Sequence, residues 1–161
     1  MSATHQHDPL RPHRHEPNPE PPSADPAFTL QLPDGSRQTI RPADLQALPQ
    51  TTVPDCYIVS TGHGTSGPFT FSGVSLLAFV SQAVAAAGAW SEVEVISADG
   101  FGNRVSLAEL HRPDPAGPIL LSYAIDGQPL TRQQGLVRMI VPSEKDDALR
   151  QVKWVGRINI R

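Results

Sequence analysis

Short runs in which apolar and polar residues alternate, separated by turn residues, dominate the chain from Phe28 onward. Residues 28–32 alternate as a half-buried strand does, and the Asp-Gly pair at 34–35 is typical of a hairpin turn leading to a second strand at 38–40. Residues 41–48 predict a short helix, because one proline stands in its first turn and another follows its last residue. The folded part of the chain is therefore expected to begin with a hairpin and a helix.

A longer helix is predicted at about residues 73–87. Apolar side chains recur there at helical spacing, Ser72 is a suitable N-cap, and Gly88 is suited to ending the helix. Before this helix, residues 53–61 have the β-branched and aromatic composition of a strand. Residues 61–67 contain so much glycine that we expect a loop there. The strand thus ends at a glycine-rich loop that precedes the helix.

The C-terminal half predicts further short strands separated by tight turns. Asp99-Gly100 and Asp126-Gly127 are both typical hairpin-turn pairs, and a bulge at Gly156 keeps the last strand in alternation. The predicted strands lie at 92–97, 103–106, 119–125, 136–141 and 152–160, with a turn of helix at 107–110. The sum is an α+β domain with mixed sheets, several short helices and one longer helix.

Residues 1–27 have a different composition, rich in proline and with Leu10 as their one large apolar side chain after the first methionine. Such a segment buries too little apolar surface to offset the ordering of its backbone, so we predict a disordered tail. The tail also holds the histidines His5, His7, His13 and His15. Clustered histidines can bind a transition metal, but their spacing is irregular and no other ligand type accompanies them, so a solvated tail or a cloning remnant is the favoured explanation. The chain is therefore divided into a tail at 1–27 and one domain at 28–161.

Composition and charge exclude several classes of protein. The chain is 39% hydrophobic, its net charge is −3 and its pI is about 6.0, which is typical of a soluble globular protein without a basic surface for nucleic acid or anionic lipid. No signal peptide and no run of about 20 apolar residues is visible, so we expect a cytoplasmic protein without a membrane span. The single cysteine, Cys56, cannot form an internal disulfide.

Six segments stand in an order that matches a known family. They read Phe71-Ser-Gly-Val-Ser-Leu-Leu77, Ala87-Gly88, Ser97-Ala-Asp-Gly-Phe101, Leu121-Ser-Tyr-Ala-Ile-Asp-Gly-Gln-Pro-Leu130, Gly135-Leu-Val-Arg-Met-Ile-Val-Pro142 and Val152-Lys-Trp-Val-Gly-Arg-Ile158. Together they resemble the molybdopterin-binding domain of sulfite-oxidase-type oxidoreductases. The resemblance covers nearly all of the predicted domain. It implies the fold of that domain, an oxidoreductase function, and molybdopterin with its molybdenum as the cofactor.

In that family, a strand ends at a cysteine that binds molybdenum. A short loop follows this cysteine and leads to the segment matched here to Phe71 and its neighbours. With Gly73 as the fixed point, the spacing places Ser60 at the position of this cysteine, whereas Cys56 lies inside the strand. A serine hydroxyl is a hard and neutral donor, and a thiolate is soft and anionic, so the exchange changes the metal chemistry. Residues 56 and 60 share one strand face, so a shift of the loop would bring Cys56 to the site as the alternative ligand.

The loop after Ser60 supplies three further candidates for cofactor binding. Thr61, Gly62 and His63 offer small side chains, backbone N–H groups and one imidazole, which suit the binding of a phosphate or oxyanion. The alternative is an ordinary surface connection, in which His63 is neither a base nor a ligand.

Two cationic residues near the C-terminus complete the candidate site. The resemblance places Arg138 near the pterin and its phosphate, where its fixed donors would pair with an anion; a surface arginine is the alternative. Lys153 is a candidate anion contact, and its neighbour Trp154 is expected in the core. The family often has a histidine shortly before the arginine, and this chain has Gln134 there.

Two functions remain open at this point. The first is a molybdopterin-binding protein of the oxidoreductase family whose metal site is altered at Ser60. The second is a non-catalytic binding module of the same fold that holds a small anionic ligand or a protein partner, as the loss of both the cysteine and the histidine indicates. No partner subunit is evident, and we expect a monomer.

Overall fold

The computed structural model describes residues 10, 24–60, 64–85, 88–144 and 150–161, and leaves the side chains at 58–60 and 64–66 undescribed. Its strands are β1 (Phe28–Gln31), β2 (Arg37–Ile40), β3 (Thr51–Ser60), β4 (Gly64–Ser75), β5 (Glu92–Ser97), β6 (Gly102–Ser106), β7 (Leu120–Ile125), β8 (Gln128–Pro129), β9 (Arg138–Ile140) and β10 (Val155–Ile160). Its helices are α1 (Pro42–Gln46), α2 (Leu76–Ala83) and α3 (Leu107–Leu110).

The first sheet has the strand order β2-β1-β10-β5-β6. Strand β1 pairs in parallel with β10 and antiparallel with β2, so the N-terminal hairpin is joined to the C-terminal strand. The pairing of β10 with β5 shifts register between Val155 and Arg157. This shift is the bulge that the alternation predicted at Gly156.

The second sheet has the order β3-β4-β7, and the far edge of β7 is shared by β8 and β9. The 119–125 segment was predicted as a strand, and β7 lies at the centre of this sheet. Its turn into β8 has positive φ angles at Asp126 (47°) and Gly127 (81°), the conformation of the tight hairpin turn predicted there.

The two faces of the second sheet pack against different groups of residues. One face joins the helices and the inner face of the first sheet in the principal core, which includes Phe28, Phe79, Leu121, Met139 and Ile158. The other face carries a smaller cluster, consisting of Val53, Cys56, Phe71, Leu120, Ile125, Leu130 and Ile140. Since side chains alternate along a strand, neighbouring residues of β7 and β9 contribute to different clusters.

The α+β class and most of the predicted elements are confirmed. The hairpin at the start, the short helix after it, the strands near 92–97 and 103–106, and the turn of helix at 107–110 are present. The predicted tail at 1–27 stays a prediction, because only Leu10 and residues 24–27 of it lie within the described part.

The predicted bounds of the loop before the longest helix, and of that helix itself, were wrong. The loop expected at 61–67 gives way at Gly64 to β4, which pairs with β3 through Ser60 and Gly64. The helix expected at 73–87 begins only after Ser75, whose hydroxyl accepts the backbone N–H of Ala78 at 3.0 Å, and it ends at Ala83. Ser72 is therefore a strand residue and not the N-cap; residues 86–87 lie outside the described part.

The pairing of β4 with β7 explains why the helix starts late. Gly73 lies opposite Ser122, and a Cβ at Gly73 would be 1.9 Å from the carbonyl oxygen of Leu121. The strand pairing continues to Ser75, opposite Leu120, so the backbone is extended until that point. Both Ser72 and Ser75 satisfy the local rule for an N-cap, and the sheet decides between them.

No helix within the described part of the chain is both long and apolar enough to cross a membrane.

Candidate cofactor-binding site

Arg138 and Lys153 are brought face to face by a short bridge between β9 and the segment before β10. Met139 and Val152 form an antiparallel bridge in which each backbone N–H donates to the other's carbonyl, at 2.8 and 3.1 Å. The next pair in this register is Arg138 and Lys153. Because Met139 and Val152 point into the principal core, Arg138 and Lys153 point to the opposite face of the second sheet.

A tight turn before β9 leaves room for both side chains. A Cβ at Gly135 would lie 3.1 Å from Cγ of Arg138 and 3.2 Å from Cγ of Lys153, so the stems of the two cations converge on this glycine. Gly135 also has a φ of 110°, which L-residues rarely adopt. A larger residue here would push the two cations apart.

Gln134, which the sequence resemblance matches to a histidine of the family, helps to build this turn. Its Oε1 accepts the backbone N–H of Thr131 at 2.9 Å, and the hydroxyl of Thr131 accepts the backbone N–H of Gln134 at 3.2 Å. These reciprocal hydrogen bonds have the pattern of a capping box. The carbonyl of Gln134 in turn accepts Nη1 of Arg138 at 3.1 Å. The side chain at this position therefore supports the loop that holds Arg138.

Arg138 is buried, so the interpretation of it as a surface residue is wrong. Its side chain is 3% exposed, and its guanidinium Cζ lies 6.0 Å from the centroid of the Phe71 ring. Within the described residues, Nε has no hydrogen-bond partner. Burial lowers the pKa of Arg138 to about 10, so the group remains charged at neutral pH. A buried cation with an unused donor is suited to binding an anion.

Lys153 is the second cation of the pair, and it is partly buried. Its Nζ lies 4.8 Å from the centroid of the Trp154 ring. Burial, together with the charge of Arg138, lowers the pKa of Lys153 to about 8. Its neighbour Trp154 is buried, as predicted, and donates its indole N–H to the carbonyl of Arg132 at 2.6 Å.

The pair has no carboxylate partner in the described part of the chain. Ion pairs in that part include those of Arg104 and Arg161 with Glu94, and of Arg150 with Glu109. Two adjacent cations that are both withdrawn from water repel each other, and each has lost solvation. An anion bound between them would reduce both costs. The residues present therefore fit the phosphate end of an anionic ligand.

Gln151 connects this pair to the strand that ends at Ser60. Its Nε2 donates to the carbonyl of Tyr57 in β3 at 3.3 Å, and it precedes Lys153 by two positions. Strand β3 continues from Tyr57 to Ser60, a distance of about 10 Å at ~3.3 Å per residue. The backbone of Ser60 is thus described at the end of β3, whereas its side chain is not. Thr61, Gly62 and His63 lie outside the described residues.

Cys56 lies in the smaller core cluster and is 1% exposed. Its Sγ lies 3.6 Å from the carbonyl of Val53 and 3.7 Å from that of Pro54, and the β3–β4 register shifts on both sides of it. The simple alternation that would place residues 56 and 60 on one face is therefore broken. Among the described residues there is also no group of three or more His, Cys, Asp or Glu side chains able to hold a metal.

The family model of the oxidoreductase molybdopterin-binding domain matches residues 19–161. The chain therefore belongs to this family, whose domains bind molybdopterin, and the resemblance to sulfite oxidase is confirmed. Human mitochondrial sulfite oxidase is 43% identical over 62 residues, which are 38% of this chain and 11% of the human protein. The mouse protein is 44% identical over 61 residues, or 37% of this chain and 10% of its own length.

A solved structure shows the same fold. The sulfane dehydrogenase SoxCD from Paracoccus pantotrophus superposes with a TM-score of 0.60 at 21% identity, covering 83% of this chain and 37% of that one. The chain thus spans about a third of that protein and about a tenth of the sulfite oxidases that it matches.

The sequence identified Arg138 and Lys153 but missed the residues that set their surroundings. Phe71 was assigned to a matched segment without a role, and it packs beneath the guanidinium of Arg138. Gln151 carries no distinguishing signal in the sequence, although its side chain is buried and donates to the carbonyl of Tyr57. The available signal for the burial of Arg138 was its position inside the apolar run 137–141.

Proposed function

We propose that this domain binds molybdopterin with the cofactor's phosphate held between Arg138 and Lys153. The observation that carries the proposal is the adjacency of these two cations on one face of the second sheet, without a carboxylate partner in the described residues. Membership of a molybdopterin-binding family supports the identity of the ligand. The two adjacent positive charges support the binding of its anionic phosphate end.

Each cation has a distinct part in this proposal. The guanidinium of Arg138 is kept in place by the carbonyl of Gln134 and the Phe71 ring, so its free Nε is already oriented before a ligand arrives. The ammonium of Lys153 is a point charge on a flexible stem, so it adjusts to the phosphate oxygens. A phosphate that pairs with both replaces the water that each has lost on folding.

Ser60 is proposed to occupy the position next to the metal. Molybdenum, when bound, supplies two-electron redox chemistry at this end of the cofactor. A serine hydroxyl provides neither the negative charge nor the soft sulfur of a thiolate, so we propose that this chain retains the pterin more tightly than the metal. Thr61, Gly62 and His63, which follow Ser60 in the sequence, are proposed as further cofactor-binding residues.

A second candidate function is a non-catalytic module that binds a small anion or an anionic partner. The observation that favours it is the position of Cys56, which is the chain's one thiol and lies in an apolar cluster with its Sγ against backbone carbonyls. A chain with this cysteine and Ser60 has no thiolate at the proposed metal position. In this alternative, the Arg138–Lys153 pair binds its anion without redox chemistry.

The cofactor content of the purified protein separates these functions. The full chain is produced in cells that synthesise molybdopterin, and its pterin and molybdenum are measured per chain. We expect pterin at a substantial fraction of one per chain, with molybdenum well below the pterin. Protein without pterin would overturn the proposal and leave the anion-binding module. Equal amounts of pterin and molybdenum would overturn the proposal that Ser60 weakens the binding of the metal.

The substitution Ser60→Cys tests the metal position directly. If Ser60 stands where the family has its ligand, the added thiol raises the molybdenum content toward that of the pterin. Ser72→Cys is the matched control, because Ser72 is a β4 residue whose hydroxyl contacts Thr52 on the adjacent strand. An equal gain in both variants, or no gain in Ser60→Cys, would contradict the assignment.

A further inference from the structure

Gln151 is a buried amide whose two ends are used unequally. Its side chain is 7% exposed, and its Nε2 donates to the carbonyl of Tyr57. Its Oε1 is buried and has no hydrogen-bond partner within the described residues. A buried acceptor without a donor is unfavourable, so such an atom in a native protein commonly faces a ligand or an ordered water.

The bridge between Met139 and Val152 places Gln151 on the same face as the two cations. Gln151 and Lys153 flank Val152, so both point away from the principal core. Ile140, opposite Gln151 in this register, belongs to the smaller cluster on that face. Arg138 and Gln151 are then diagonal neighbours, whose backbones are separated by about 7–8 Å.

We propose that Gln151 is a further ligand-binding residue, whose Oε1 accepts an N–H from the same molecule that presents its phosphate to Arg138 and Lys153. The ligand class is therefore a phosphate monoester joined to an amide or nitrogen heterocycle with N–H donors. A pterin ring has such donors. This inference rests on the proposed function, since it needs the Arg138–Lys153 pair to hold the phosphate.

The hydrogen bond from Gln151 to the carbonyl of Tyr57 determines which end of the amide faces the ligand. Because Nε2 is engaged by β3, the amide cannot rotate to present its N–H groups without losing that hydrogen bond. The site thus selects a donor over an acceptor at this position. Ligands that carry phosphate alone gain nothing from Gln151.

Calorimetry with two probes tests the inference. Inorganic phosphate and hydroxymethylpterin phosphate are titrated into the full chain and into Gln151→Met, a variant of similar size without the acceptor. We expect the pterin phosphate to bind about tenfold more weakly to the variant, and phosphate to bind equally to both. Gln133→Met is the control and should change neither affinity, because Gln133 is exposed in the turn between Thr131 and Gly135. Equal pterin affinity in Gln151→Met would overturn the inference and indicate a buried water only.

A second variant keeps the test decisive if Gln151→Met folds poorly. Gln151→Glu keeps an acceptor but adds a carboxylate beside the two cations, so phosphate affinity should fall at least tenfold. Unchanged phosphate affinity would show that Gln151 does not lie on the same face of the sheet as Arg138 and Lys153. Failure of the proposed function gives a different result. In that case neither probe binds the unmodified chain, or the binding of both probes is unaffected by substitution of Arg138.

Discussion

Arg138 and Lys153 lie opposite each other beside the Met139–Val152 bridge, and their stems meet at Gly135. Like charges in such positions destabilise a fold unless a third group compensates them. Within the described residues the compensation is one carbonyl, that of Gln134, and two aromatic rings, that of Phe71 beside Arg138 and that of Trp154 beside Lys153. The arrangement is explained if the compensating group is a ligand.

The first prediction concerns the stability of the ligand-free domain. Arg138→Met removes a buried charge and keeps much of the side-chain volume, so it should raise the free energy of unfolding by roughly 1–3 kcal/mol. Urea denaturation measures the change. Arg112→Met, at an exposed arginine, should stay within about 0.5 kcal/mol of the parent. A destabilised Arg138→Met would show that the guanidinium supports the fold itself.

The second prediction concerns the pH dependence of anion binding. Lys153 has a pKa of about 8 in the folded chain, so it is charged below that pH and loses its charge above it. The affinity for sulfate, which stays a dianion over this range, should therefore fall by about tenfold between pH 7 and pH 9, because only the protonated lysine attracts the anion. In Lys153→Met, binding should be weaker and nearly constant over the same range. A fall of equal size in that variant would assign the titration to another group.

The third prediction concerns the accessibility of Cys56. The thiol is buried in the smaller cluster, so an aromatic disulfide reagent should label it only as fast as the domain unfolds. Labelling rates are compared in buffer and at increasing urea concentration. Rapid labelling in buffer would mean that Cys56 reaches the surface, and would restore it as a candidate metal ligand.

The fourth prediction concerns the contact between β4 and β7. Gly73→Ala would place a methyl group against the carbonyl of Leu121, so it should cost about 3 kcal/mol or more of unfolding free energy. Thermal denaturation by circular dichroism measures the loss. Ser72→Ala, which removes only a hydroxyl contact with Thr52, should change stability by about 0.5 kcal/mol or less. Similar values for the two variants would contradict the close approach of the strands.

Local patterns predicted the elements whose signals are local. The Asp-Gly turns, the first hairpin and the bulge at Gly156 follow from turn chemistry and alternation, and all are present. The start of α2 could not be predicted this way, because Ser72 and Ser75 are equally good N-caps in sequence. Pairing of β4 with a strand many residues later decides which one is used.

The candidate site was predicted as a set of residues but not as an arrangement. The resemblance identified Arg138 and Lys153, yet neither the burial of Arg138 nor its position opposite Lys153 was predicted from the sequence. Both depend on the bridge between Met139 and Val152, which joins segments separated by the residues 140–151. The buried acceptor of Gln151 depends on the same long-range contact and on Tyr57 in β3.

The central claim is that Arg138 and Lys153 form one site for the phosphate of a pterin ligand. Calorimetric titration of hydroxymethylpterin phosphate into the full chain and into the double variant Arg138→Met/Lys153→Met tests it most directly. We predict one bound ligand per unmodified chain and no measurable binding to the folded double variant. Equal affinity of the two proteins would contradict the claim.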